Sequence, residues 1–368
     1  MDFSNIIEAK PGTPGWKHPD SRIRWDTVQR LDDQELLIKI AQTDSSSMVR
    51  AEAVYRIKDQ DFLENIYYNE PDSIVRRAIV STINDESLLI NVAYGDDVSG
   101  VRCAAVRNEH LKNQDILKEI ALNDSDRKVC YNCVRNPNLS DQGILLEIAF
   151  LSKIETVRGE AIMHITSKNF LEITALSDPS EYVRSRAVSN LNFSDESFLE
   201  FIACNDLSEH VRSNAVRRIT NKEVLTNIIL NDTSDMVRKE ILVNSNFDNA
   251  EIIEDAVYND VSESVREAAA RNVHLRDESI LIDLVKNDSN RFVRLSALRN
   301  PNLKDESFLA DIACNHEDSA FRNDAVLNPN FQNEELLKHL AENDSGVLVR
   351  IFAEHKLKNL GKEDEIIS

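Results

Sequence analysis

The feature that most constrains this chain is a repeated dipeptide. Val-Arg occurs at Arg50, Arg76, Arg102, Arg158, Arg184, Arg212, Arg238, Arg266, Arg294 and Arg350, with Phe-Arg at Arg322 and Val-Cys at Cys130. These twelve positions are separated only by steps of 26 or 28 residues. A fixed period of that length marks stacked supersecondary units, so 368 residues need not mean several globular domains.

Each unit has the same internal order. Six residues before the arginine position stands an acid in ten of twelve units, from Asp44 and Glu70 to Asp344, with Ser152 and His316 as exceptions. Upstream of it runs a pattern such as Phe198, Leu199, Ile202 and Ala203, whose spacing gives one apolar helical face, here called helix A. Four residues before the arginine position comes Ser, Asp or Asn in nine units, as at Ser180, Ser208, Ser234 and Ser262, each of these four followed by an acid. That is an N-cap with negative charge in the first turn, and it starts helix B.

The end of helix B predicts the step to the next unit. All seven units followed by a 28-residue step carry Asn six residues after the arginine position: Asn108, Asn136, Asn190, Asn244, Asn272, Asn300 and Asn328. The expectation is a left-handed Asn stop, with Pro137, Pro301 and Pro329 forbidding continuation. The four units with a 26-residue step have Arg56, Thr82, His164 or Arg218 there, each followed by isoleucine, which predicts a tighter hairpin. Helices of about ten residues are only about 15 Å long and cannot hide an apolar stripe alone. Stacking hides it, and twelve pairs would span on the order of 100 Å as a curved rod.

Composition agrees. The chain has 8 Gly and 8 Pro, where average usage gives about 26 and about 18, which argues against an all-β sandwich or an enzyme built on glycine loops. The formal charge of −21 argues against a broad grip on nucleic acid or anionic lipid. There is no apolar run of about 20 residues, and the start lacks the basic-then-apolar order of a signal peptide. With five thinly spread cysteines, read as reduced thiols, the expectation is a cytoplasmic protein that does not span a membrane.

The stretch Val293-Arg294-Leu295-Ser296-Ala297-Leu298-Arg299-Asn300-Pro301-Asn302-Leu303, followed by Phe308-Leu309 and Ile312-Ala313, resembles the leucine-rich repeat variant, a helical repeat similar in style to HEAT-type repeats. The similarity covers roughly residues 32 to 356. Units of that family are generally shorter and pair an α-helix with a 3₁₀ helix, whereas the spacing here leaves room for two α-helices. The resemblance implies an all-α, right-handed α-solenoid of about twelve two-helix repeats, acting as a binding surface and carrying no shared catalytic residue. Residues 1–31, with Pro11, Gly12, Pro14, Gly15, Pro19, Trp16 and Trp25, are expected to form an arm leading into a cap, or else a partner-binding tail. The solenoid takes 32–356, and 357–368 a C-terminal cap and tail, with the helix ending near Gly361.

Stepping 100° per residue puts the arginine position in the middle of the buried face of helix B, where an unpaired charge is costly. The acid six residues earlier is the expected partner, in the same unit or the next. Residues one, two and five after the arginine position point the other way. They include eight basic side chains (Arg77, Arg107, Arg135, Arg186, Arg217, Lys239, Arg271, Arg299) and five acidic ones (Glu52, Glu160, Glu240, Glu267, Asp324), leaving −24 for the rest of the chain. If helix B lines the concave side, as the resemblance implies, that surface is neutral to mildly basic. It is then either solvated, with its arginines paired to nearby Glu, or a groove for an acidic segment in which Arg107, Arg135, Arg217, Arg271 and Arg299 bind the partner. On this reading Arg271 and Arg299 stand side by side on the open surface, and removing them hardly affects folding.

Other chemistry finds little support. Cys130 and Cys133 form a C-x-x-C, but Cys133 fills a position that is Ala in nine other units, so packing explains it better than a metal or redox site. Asn123-Asp124-Ser125-Asp126 and Asn231-Asp232-Thr233-Ser234-Asp235 lack the Gly and closing Glu of a calcium loop and recur as the A-to-B turn. No H-E-x-x-H, G-x-S-x-G or phosphate loop occurs. The expectation is a non-enzymatic scaffold for a protein or peptide, without catalytic residues, cofactor or metal and without nucleic acid. The alternatives are a nucleic-acid enzyme like the DNA glycosylases built on HEAT-type repeats, or a maturation or chaperone factor for another protein.

Overall fold

The computed structural model describes residues 14–367. Among them are 25 α-helices, one 3₁₀ turn at Gly15–Lys17 and no strand. The chain divides into two compact units, Met1–Phe193 and Ser194–Ser368.

Each unit is a stack of A and B helix pairs, so the α-solenoid expected from the repeat is the fold. Every A helix packs on the B helix of its own repeat, and successive B helices pack on one another more extensively than successive A helices do. The B side is therefore the inside of the bend within each unit. A helices begin at an Asp, Asn or Ser N-cap, as at Asp33, Asp85, Asn249 and Asn333, whose side chain in most cases accepts a backbone N–H of the first turn. Several B helices begin at serine caps whose hydroxyls turn instead to a first-turn acid of the previous repeat: Ser180 to Glu155, Ser234 to Glu209 and Ser262 to Asp235.

The two step lengths have one cause. In a 26-residue step an isoleucine seven residues after the arginine position plugs the core between helices: Ile57, Ile83, Ile165 and Ile219 are all buried. In a 28-residue step the plug comes nine residues after, at Leu111, Leu139, Phe193, Phe247, Leu275, Leu303 and Phe331, also buried. The asparagine turn inserts the two extra residues. It does not use the left-handed conformation expected of it. Asn108, Asn190, Asn244, Asn272, Asn300 and Asn328 have φ between −67° and −58° and ψ between 123° and 132°. What selects Asn is its amide, which donates backward to carbonyls of the previous repeat, as Asn108 does to Val80 and Ile83, while its oxygen accepts the N–H two residues on.

Both ends add helix to the repeats. Ser21–Val28 is a helix carrying Ile23-Arg24, 26 residues before Arg50, so the cap is an extra B helix that has no A partner among the described residues. Pro11 and Gly12 of the expected arm lie outside the described residues. At the other end the last B helix runs from Val347 through Gly361 to Ile367, where a cap and polar tail were expected.

Candidate functional site

The repeated arginine does two things. One Nη donates to the backbone carbonyl six residues earlier, as Arg50 does to Asp44 at 3.0 Å and Arg212 to Asp206 at 2.9 Å. The rest of the guanidinium grips the acid of the following repeat. In the first unit the rungs are Arg24–Asp44, Arg50–Glu70, Arg76–Asp96, Arg102–Asp124 and Arg158–Asp178. In the second they are Arg212–Asp232, Arg238–Asp260, Arg266–Asp288 and Arg322–Asp344. These arginine side chains are only 8–15 % exposed. The residue six positions back thus supplies its carbonyl, and the carboxylate comes from the next repeat. Burial works against Asp44, Asp96 and Asp260, yet their forked bonds with arginine hold each carboxyl below its usual range.

The two exceptions to the acid position are explained by the same pairing. Ser152 is the counterpart of Cys130, so arginine and acid are replaced together, and the Cys130 thiol turns to the Asp124 carbonyl. His316 is the counterpart of Arg294. There the guanidinium lies over the Phe321 ring at 5.3 Å, and Phe321 stacks on His316 at 4.2 Å. Arg294 Nε is buried without a hydrogen-bond partner among the described residues.

Against the B-helix face the simple helical phase partly fails. Side-by-side packing of B helices buries many residues one or two after the arginine position, including Gly159, Glu160, Ser213, Ser296 and Asp324. The open row is the fifth residue after it, together with the second before. The five arginines singled out above, Arg107, Arg135, Arg217, Arg271 and Arg299, are all exposed in that row.

A further register relation decides their chemistry: the fifth residue after one arginine position meets the second residue after the next. Arg135 lies 3.7 Å from Glu160, Arg217 forks onto Glu240 at 2.6 and 3.1 Å, and Arg299 holds Asp324 at 2.8 Å. Arg271 meets Ser296 and also bonds Glu267 on its own helix at 2.7 Å. Four of the five are thus neutralised in place. Arg299 is not the freely removable surface group expected, because Asp324 is 1 % exposed and its other carboxylate oxygen already lacks a partner.

Arg107 is the exception. The relation brings it to Asn132, a neutral side chain committed to the Lys128 carbonyl, and it has no carboxylate partner among the described residues. The same holds for Arg77 in the preceding repeat. Both line a groove of about 520 Å³ with Tyr55, Ser81, Gly100, Cys103, Ala104 and Asn108. No carboxylate lines it. Burial raises the Cys103 thiol, so that side chain stays neutral. A larger cleft of about 630 Å³ opens around the Arg50–Glu70 rung, but a counterpart recurs at Arg212–Asp232, and in both the charges are already matched.

Two repeats further along the same unit, Glu160 gathers a second cluster. It is 8 % exposed and accepts from Tyr131 at 3.0 Å and Arg186 at 3.2 Å, with Arg135 at 3.7 Å and His164 at 3.8 Å. Tyr182 lies so close over Gly159 that a Cβ there would come within 2.5 Å of its ring. Arg77 and Glu160 have no role assigned from the sequence; the register relation that brings Arg135 to Glu160 arises from B-helix packing and is not carried by the repeat pattern.

All five cysteines are free; Cys130 and Cys133 are buried, which pushes the Cys130 thiol up to about 11 and Cys133 well above the usual range. Among the described residues no group of three or more His, Cys, Asp or Glu is placed to hold a metal ion, and no helix is long and apolar enough to cross a membrane.

No protein-family model matches the sequence, and no curated protein matches it. Among solved structures, the chain is similar to the UNC-45 chaperone, described for its binding and folding of muscle myosin, at 11 % identity and a TM-score of 0.25. The similarity covers 94 % of this chain and 50 % of that one. So low a TM-score carries no inference about function.

Proposed function

We propose that this chain is a non-enzymatic binding scaffold, a repeat protein of the leucine-rich-repeat-variant and HEAT-like kind, that presents its B-helix face to a protein or peptide partner. In the first unit the groove between Arg77 and Arg107 is the seat for an acidic segment. One observation carries this reading: these two guanidinium groups share a groove without a carboxylate, whereas Arg135, Arg217, Arg271 and Arg299 each have an acid beside them. A guanidinium free of an internal partner is the one available for a forked bond to a ligand carboxylate. The reading places the protein in a reducing, cytoplasmic setting and assigns it no cofactor. A chaperone or maturation role would use the same face.

A glycosylase-like reading needs a free acid beside aromatic groups. Glu160 has the aromatic neighbours, but its carboxylate is held by Tyr131 and Arg186 with Arg135 close by, so it is not the free acid that reading needs. The test is fluorescence anisotropy with a labelled deca-glutamate peptide and, separately, a short DNA duplex. The peptide should bind, and Arg77→Glu with Arg107→Glu should weaken it at least about tenfold through charge reversal. Failure of the peptide to bind, or tighter duplex binding that falls steeply with salt, would overturn the reading.

A further inference from the structure

We infer that the Arg77–Arg107 groove is built for a doubly charged anion on a peptide, a phosphorylated serine or threonine side chain, in preference to Asp or Glu. This rests on the binding-face reading above and narrows its ligand.

Both arginines are exposed at the groove and neither meets a carboxylate among the described residues. They come from adjacent B helices, Ser73–Thr82 and Ser99–Arg107, whose packing sets where the two side chains leave the backbone. The floor between them is small and uncharged, Gly100 and Ala104, and a Cβ on Gly100 would meet nothing closer than 3.9 Å. The Ser81 hydroxyl donates to the Arg77 carbonyl, and the Asn108 amide is spent on Val80 and Ile83, so neither competes with the guanidiniums for an anion.

Two guanidinium forks offer a +2 site. A carboxylate can satisfy one fork and leaves the other facing a single negative charge. A phosphate monoester carries about −1.5 to −2 charges at neutral pH and three acceptor oxygens, enough for both forks at once. The groove, at about 520 Å³, is much larger than a phosphate group and has room for the side chain and flanking backbone. Long polyphosphates are disfavoured by the chain's net charge of −21, which repels an extended polyanion more than one local dianion.

The probe is a pentapeptide of Gly and Ala with a central phosphoserine, titrated by calorimetry into the full chain. It should bind at least about tenfold more tightly than the same peptide with Glu at the centre, the difference expected for one added charge-assisted pair. Arg77→Ala and Arg107→Ala should each cost roughly tenfold, Arg107→Lys less, and Arg217→Ala nothing. Circular dichroism of the variants should be unchanged, since both residues are exposed. Equal affinity for the Glu and phosphoserine peptides, both lost in the arginine variants, would overturn the phosphate assignment and leave the acidic-segment reading standing. Inorganic phosphate competing as strongly as the peptide would make free phosphate the ligand and overturn the peptide assignment. No binding of either peptide would overturn both readings.

Discussion

Arg212 shows how one residue type can serve as a structural fastener in one register and a candidate ligand group in another. Its guanidinium is spent twice, on the Asp206 carbonyl and on both oxygens of Asp232. Arg212→Ala should cost about 3 kcal/mol, because it leaves Asp232 buried without its partner. The Cys130–Ser152 rung shows a neutral alternative, so Arg212→Cys combined with Asp232→Ser should be less destabilising than Arg212→Cys alone. A double-mutant cycle by chemical denaturation measures this, and additive costs would mean that the two side chains are not coupled. At the rung that lacks its acid, His316→Asp should stabilise the second unit by giving Arg294 a carboxylate. About 1 kcal/mol corresponds to a melting-temperature rise of about 2–4 °C. No rise would mean that the Phe321 ring already satisfies the guanidinium. The burial of the repeated arginine was legible from helical phase alone. Its carboxylate partner was not, because the sequence offers an acid at the same offset in ten of the twelve repeats and does not say which one faces it.

Helix ends carry the second lesson. Asparagine in the B-to-A turn was legible as a stop signal, but its mechanism was not: its backbone is extended, and its side chain spans to the preceding repeat, a contact with no trace in local propensity. The last B helix tests that mechanism, because Lys356 occupies the asparagine position and donates to the carbonyls of Val326 and Asn328. Burial pushes its amine down to about 8 from an ordinary value of 10.5. Between those values the unfolded chain holds more protons than the folded one, so stability should rise as pH increases from about 8 towards 10.5. Lys356→Asn should remove that rise and, at pH 7, stabilise the C-terminal pair, because no charge is then buried. Thermal melts across this pH range check both statements, and a wild-type curve that falls over it would contradict the assignment. The step lengths of 26 and 28 were fully legible as numbers; that they reflect the plug moving by two residues, from Ile57-type to Leu111-type positions, needed the packing.

For the whole molecule, the twelve-repeat architecture could be read from Val-Arg spacing, but the candidate site could be read only in part. All five nominated arginines are on the open row as expected. What separates Arg107 from Arg135, Arg217, Arg271 and Arg299 is whether an acid stands near it, in the next repeat or on its own helix. That depends on which rows of adjacent B helices meet, and a one-dimensional pattern does not contain this. The central claim is that this pairing decides where the face can bind. It is tested most directly by replacing each of the five arginines singly with Ala and measuring affinity for the deca-glutamate peptide. The account predicts a loss of roughly tenfold for Arg107→Ala and little change at Arg135, Arg217, Arg271 or Arg299, which have an acid beside them. An equal loss at all five positions, or a larger loss at Arg217, Arg271 or Arg299 than at Arg107, would contradict it.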